Sequence, residues 1–199
     1  LLRRLVATLR DGGCGQVTVV RGYRKEAIDL PTIDAVDNDD FASTGEAASL
    51  ACALDRLEGE TLLAYRDVLF RRHILDRLLD AAGDIVLAVD ARWRDRTDQA
   101  PNRTRDFVRA NRAFSGRYLD DDELYVRSIS TALAPSDAHG EWIGVARLST
   151  KGAALLRSQL TDMRAEGVLA RASLPEAFAR LLAGGARLDI VPVSGDWLD

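Results

Sequence analysis

Cysteine is scarce: Cys14 and Cys52 are the only two among 199 residues. Two thiols cannot build a disulfide framework, and they fit a reducing compartment, so a cytoplasmic protein is expected. No apolar run approaches the roughly 20 residues that cross a bilayer. The opening Leu1-Leu2-Arg3-Arg4 has the character of a helix interior, not of a secretory leader. A basic excess is missing too, since 27 Lys and Arg face 31 Asp and Glu for a net charge of -4. Neutralising a nucleic-acid backbone needs a basic face, which this balance disfavours. Lysine itself is almost absent. Only Lys25 and Lys151 occur, and the other 25 basic residues are arginine. Arginine forks match carboxylate and phosphate oxygens, although solvated surface arginine accounts for the same bias. Neither a Walker A loop nor G-x-G-x-x-G occurs, which removes P-loop and dinucleotide-binding chemistry.

The apolar share is ample: 47% hydrophobic against 29% charged is a globular mix able to fill a core. Residues 1–10 place Leu1, Leu2, Leu5, Val6 and Leu9 at helical spacing, and Asp11-Gly12-Gly13 stops them. Strands are expected over 16–20 and 33–36, with a short helical stretch at 25–29 between them. A helix opens at Thr44-Gly45-Glu46 and runs to about Leu57. A strand follows over 61–65, then a helix over 68–82. The run Asp84 to Asp90 is nearly all apolar, as befits a strand buried on both faces of a parallel sheet. Later elements are a strand at 142–148, helices at 150–164 and 174–182, and a strand at 188–193. Residues 91–130, rich in Arg and Asp, read as an irregular insert of loops and short strands outside the main sheet. Alternating helix and strand implies an α/β fold, a doubly wound, mostly parallel, Rossmann-like sheet.

In such sheets ligands bind beyond the carboxyl ends of the strands. Asp67, Asp90 and Asp199 fall at those ends. They can serve a hard cation and substrate phosphates, or stand solvated. Arg21 and Lys25 flank the first strand and can face phosphate oxygens, or lie in a solvated turn. His73 sits on a helix and His139 in a loop before Glu141; neither cysteine has a partner or an expected role.

The ordered segments Val19-Val20-Arg21-Gly22-Tyr23, Asp37-Asn38, Thr44-Gly45-Glu46-Ala47-Ala48-Ser49-Leu50 and Tyr65-Arg66-Asp67-Val68-Leu69-Phe70 resemble the nucleoside-triphosphate transferase family. His139-Gly140-Glu141-Trp142-Ile143-Gly144 and Gly195-Asp196-Trp197-Leu198-Asp199 are similar to one subgroup, the phosphonate cytidylyltransferases often fused to phosphoenolpyruvate mutase. The resemblance implies transfer of CMP from CTP to a small phosphonate, 2-aminoethylphosphonate or 2-hydroxyethylphosphonate, with release of pyrophosphate. Phosphocholine or sugar-phosphate transfer is the alternative, as is a non-catalytic nucleotide-binding or assembly domain. By the family pattern Asp67 and Asp199 bind Mg²⁺, Arg21 and Lys25 supply counter-charge in catalysis, and Ser49 and Glu46 lie by the nucleotide. Arg66 replaces a usual Gly and can contact a phosphate. Glu141 and His139 would meet the acceptor, Glu141 through an ammonium. The resemblance also admits a fused mutase domain and a homo-oligomer; no nucleic-acid or membrane partner is expected. The family's Gly-rich triphosphate loop precedes the first helix, inside which this sequence opens. A single nucleotidyltransferase-like domain over residues 1–199, trimmed at both ends and inactive alone, is therefore expected.

Overall fold

The computed structural model describes residues 1–96, 103–115 and 123–198. Helix α1 spans Leu2–Asp11 and buries Leu5, Val6 and Leu9, the apolar stripe read from the sequence. Strands β1 (Thr18–Arg21) and β2 (Asp34–Asp37) pair in parallel as a separate two-stranded sheet. Helix α2 (Glu46–Ala51) is shorter than expected and gives way to a 3₁₀ turn at Leu54–Arg56. Its N-cap is Gly45, where a side chain has no room: a Cβ would lie 2.4 Å from the Ala172 carbonyl oxygen.

Strand β3 (Thr61–Ala64) leads through Tyr65-Arg66-Asp67 into β4 (Leu69–Phe70), and α3 covers Arg72–Asp80. The expected helix over 68–82 is thus corrected at its start. Leu69 and Phe70 instead pair antiparallel with β10 (Trp197–Leu198). Helix periodicity at 68–75 hid this two-residue strand because its partner lies more than 120 residues away.

The main sheet holds β3, β5 (Ile85–Asp90), β6 (Phe107–Ala110), β7 (Val126–Ser130), β8 (Gly140–Leu148) and β9 (Asp189–Val193). Helices α4 (Thr150–Ala165) and α5 (Leu174–Ala183) precede β9, and Ser173 and Glu176 close a capping box at the start of α5. β5 and β9 are parallel, while β8 runs against β3, β5 and β6, and β7 against β6. Strands β3, β5, β6 and β9 therefore share one direction and β7 and β8 the other. The insert is corrected in the same stroke: β6 and β7 extend the main sheet instead of lying outside it.

Strand β5 is buried throughout and alternates between two cores. Ile85, Leu87 and Val89 pack under α2, α4 and α5; Val86 and Ala88 pack with the apolar faces of α1 and α3. Burying both faces of one strand explains its nearly unbroken apolar run.

Strand β8 changes neighbours midway. Residues 140–141 pair with β6, and 145–148 pair with β3. Between Leu87↔Ala146 and Val89↔Trp142, one residue of β5 faces three of β8. Gly144 sits at this bulge with φ 77°, and a Cβ there would approach the Tyr65 ring to 2.3 Å. Gly144→Ala is expected to destabilise the protein by about 2–4 kcal/mol, the sum of left-handed strain and overpacking. Urea unfolding checks this; a variant as stable as the parent contradicts it.

Candidate active site

The register of β5 on β8 sets Asp90 directly across from Glu141. Both carboxylates are 0% exposed. By alternation Asp90 shares its face with Val86 and Ala88, and Glu141 shares that face through Ile143. Like charges directly opposite on one face repel, and an uncompensated buried carboxylate is costly. Their partners supply the compensation. Asp90 Oδ2 accepts from the Trp197 indole Nε1 at 2.8 Å, and its Oδ1 accepts from the Arg92 backbone N–H at 2.8 Å. Arg96 Nη1 lies 3.6 Å from Asp90 Oδ2, and Arg96 Nη2 donates to the Trp197 carbonyl at 3.0 Å. The Arg96 guanidinium also stacks 4.5 Å over the Trp197 ring. Glu141 accepts from Arg103 on Oε1 and from Arg105 Nη1 on Oε2, the latter at 2.7 Å.

Strand β6 starts level with the end of β5, Phe107 pairing Glu141 from the side opposite Asp90. That places Arg103 and Arg105, just before β6, over Glu141. Trp93 follows β5 in a 3₁₀ turn and packs on Phe107 with centroids 4.7 Å apart. The Arg105 guanidinium lies 5.7 Å from the Trp93 ring centroid.

A second group lies at the end of β3. The Tyr65 hydroxyl donates to Asp106 Oδ2 at 3.3 Å, and its ring packs 5.1 Å from that of Trp142. Burial raises the Asp106 pKa to about 6, with the Glu46 charge adding to the rise. Burial also raises the Tyr65 pKa, so the phenol stays protonated and donates. The bond ties the strand end that leads to Asp67 to the base of the arginine insert.

Asp67 itself is exposed three residues past β3 and makes no side-chain hydrogen bond or ion pair among the described residues. Asp199 lies outside the described residues. Asp90, the other strand-end carboxylate among the described residues, accepts one N–H donor on each oxygen. Glu141 accepts one arginine on each oxygen. Arg21 and Lys25 are not gathered with either group. Arg21 Nε bonds Asp37 Oδ1 at 2.8 Å, and Lys25 pairs with Asp39 at 2.6 Å and Asp37 at 3.3 Å. The Arg21 hydrogen bond, then Lys25, hold the Asp37 pKa below its ordinary value.

Ser49 Oγ accepts from the buried Asn38 amide at 3.0 Å, and Thr44 Oγ1 accepts from the same amide at 2.9 Å. Asn38 thereby pins the 38–49 loop beside Glu46. Arg66 is exposed next to Asp67. His139 is half-buried; its backbone N–H donates to the Val108 carbonyl, and its Nδ1 has no hydrogen-bond partner among the described residues. His73 lies 3.7 Å from Asp196 at the surface. Both cysteines are free, and burial raises each thiol's pKa. Sequence reading marked the arginine-rich insert without singling out Arg96, Arg103 and Arg105, and it named Trp197 only as part of the Gly195–Asp199 segment.

Asp106 carries a pH prediction. Its folded pKa stands above the ordinary 3.8, so ionisation opposes folding. The stability it contributes is full below 3.8 and is lost as pH rises through about 6. Asp106→Asn should gain on the parent by at most about 3 kcal/mol between pH 4 and 7. Denaturant titrations at both pH values check this, and a pH-independent difference contradicts it.

No protein-family profile matches the chain. Over 100 residues it is 36% identical to a bifunctional IPC transferase and DIPP synthase of Rubrobacter xylanophilus. That match takes in 46% of this chain but only 22% of the relative's length. Among solved structures it resembles the inositol-1-phosphate CTP transferase from T. maritima, with TM-score 0.73 and 16% identity over 98% of this chain and 74% of that one. It also resembles the CTP:phosphocholine cytidylyltransferase from Streptococcus pneumoniae, with TM-score 0.67 and 14% identity over 98% and 76%. A Bacillus anthracis structure described as a glucose-1-phosphate thymidylyltransferase gives TM-score 0.71 and 11% identity over 100% and 76%. The chain therefore has the α/β fold of the nucleotidyltransferases.

Proposed function

We propose that this chain is the nucleotidyltransferase part of a cytidylyltransferase that transfers CMP from CTP to a small organophosphorus acid, a 2-carbon phosphonate first among them. The observation that carries the reading is the arginine layer over Asp90 and Glu141 at the carboxyl ends of β5 and β9, the kind of strand end where open α/β sheets bind ligands. The fold and the sequence likeness to a transferase named for IPC support the same reaction class. Those relatives are named for phosphomonoester acceptors, inositol phosphate and phosphocholine, and this is the second reading for the acceptor. Both acceptors share a dianionic phosphorus group.

In the reaction an oxygen of the acceptor's phosphorus group attacks the α-phosphorus of CTP. A new P–O bond forms there, the α–β bridging P–O bond breaks, and its electron pair leaves with pyrophosphate. The chain's work is positioning and charge neutralisation. Asp67 fits a hard cation: it is an exposed, unengaged carboxylate at a strand end, and Mg²⁺ takes one or two carboxylates plus phosphate oxygens. Mg²⁺ bound there would neutralise charge on the triphosphate. Glu46, Ser49 and the Asn38-pinned loop would border the nucleotide. The arginines would receive the acceptor.

The test is pyrophosphate release by the full-length protein with CTP and Mg²⁺. Parallel reactions contain 2-aminoethylphosphonate, 2-hydroxyethylphosphonate, phosphocholine or inositol 1-phosphate. Release with a phosphonate is expected, and Asp67→Ala should cut it by at least a hundredfold while leaving the thermal midpoint within a few degrees. Release with a phosphomonoester alone moves the acceptor. Silence throughout, with CTP bound, contradicts the enzyme reading and favours a nucleotide-binding domain.

A further inference from the structure

Strand β6 lies between β7 and β8, and Phe107 pairs with Ser130 on one side and Glu141 on the other. The connection from the end of β7 to the start of β8, residues 131–139, therefore has only two strand spacings to cross, roughly 10 Å. A chain of that length can reach about 30 Å, so it crosses β6 with slack. Residues 131–137 are exposed apart from the half-buried Leu133, and Ala138 is buried. Leu133 and Ala138 rest on Trp93 and Phe107, a small apolar cluster separate from the two main cores. Arg94 fastens this strap. Its Nη2 donates to the Pro135 carbonyl and to the Ala138 carbonyl, the latter at 3.0 Å, and its guanidinium lies 4.4 Å over the Trp93 ring. We infer that residues 131–138 form a hinged cover over Trp93 and Phe107, latched by the Arg94 side chain, which opens while the rest of the sheet stays folded. The inference stands apart from the proposed reaction.

Three observations converge. First, the attachment is concentrated in one side chain. The strap's other hydrogen bonds among the described residues stay within 130–138: Ala132 N–H to Ser130 Oγ, Asp137 N–H to the Ala134 carbonyl, and Ser136 Oγ to Asp137 Oδ1. Just beyond it, the His139 N–H donates to the Val108 carbonyl and ties the β8 end of the strap to the sheet. Second, closure leaves a cost that opening removes. Trp93 is 8% exposed, and its buried Nε1 has no hydrogen-bond partner among the described residues. Water satisfies that N–H once the cover lifts. Third, the latch stands in solvent. Arg94 is exposed, so it trades its two carbonyls for water, and a hydrogen bond exchanged in this way is worth little net. Few buried apolar contacts and solvent-facing bonds are the marks of a segment that opens locally. Opening bares an aromatic floor in contact with Arg105, whose guanidinium lies 5.7 Å from the Trp93 centroid.

Native-state thiol labelling of the full-length protein tests this. One variant carries Ala138→Cys under the strap; a control carries Ala146→Cys, fully buried in β8. Mass spectrometry of the peptides counts Cys14 and Cys52 apart. The thiol introduced at 138 should label about a hundredfold faster than that at 146 or more, because it needs only local opening. Arg94→Ala should raise the rate at 138 by about tenfold or more, the loss of charge-assisted hydrogen bonds, and leave the rate at 146 unchanged. Arg94→Lys should restore part of the protection, since a single ammonium still reaches a carbonyl. Acrylamide quenching of tryptophan fluorescence reads the same opening without altering the strap. Arg94→Ala should add a quenchable component that Trp93→Phe removes. Equal labelling at 138 and 146, an unchanged rate at 138 in Arg94→Ala, or no added quenching overturns the inference. If Ala138→Cys fails to fold, the quenching comparison decides alone.

Discussion

Two carboxylates, Asp90 and Glu141, meet across adjacent strands at the centre of the sheet with no access to water. That juxtaposition is costly unless cations and N–H donors arrive from elsewhere in the chain. Much of the architecture at this edge is the means of their arrival. The turn after β5 brings Arg92 and Arg96, the start of β6 brings Arg103 and Arg105, and β10 brings the Trp197 indole. Pairing of β10 with β4 then fixes Trp197 opposite Phe70, a few residues after Asp67. One electrostatic demand thereby links the chain's last strand, its arginine-rich insert and the strand end that carries the exposed carboxylate.

The elements visible in the sequence were those whose cause is local. The apolar run 84–90 marked β5, and the Leu5–Val6–Leu9 stripe marked α1. The features that were not visible depend on distant partners. Leu69 and Phe70 continue a helical pattern and become a strand only because Trp197 and Leu198 pair with them. Residues 107–110 carry little periodicity, yet β8 recruits them once β3 no longer runs beside its first half. The site follows the same rule. Asp67 is legible as a carboxylate just past a strand. The role of Glu141 is not, because nothing near it in sequence says that Arg103 and Arg105 will occupy both its oxygens.

The same contacts divide the site into two halves. On the β3 side stand accessible acidic and hydroxyl groups: Asp67, Glu46 and a loop pinned by Asn38. On the β5–β8–β6 side stands a cationic layer over buried carboxylates. Tyr65, braced by Trp142 and the bulge at Gly144, joins the halves through Asp106. Sheet irregularity and site geometry are thus one feature seen at two scales.

The central claim is that Asp90 and Glu141 can stay buried opposite each other only while the arginines and the Trp197 indole engage them. Its most direct test compares the urea unfolding free energies of Arg105→Met and of the apolar triple variant Glu141→Leu with Arg103→Met and Arg105→Leu. The account predicts a loss of roughly 1.5–3 kcal/mol for the single variant and a triple variant as stable as the parent to within about 1 kcal/mol, or more stable. A single variant as stable as the parent would contradict it.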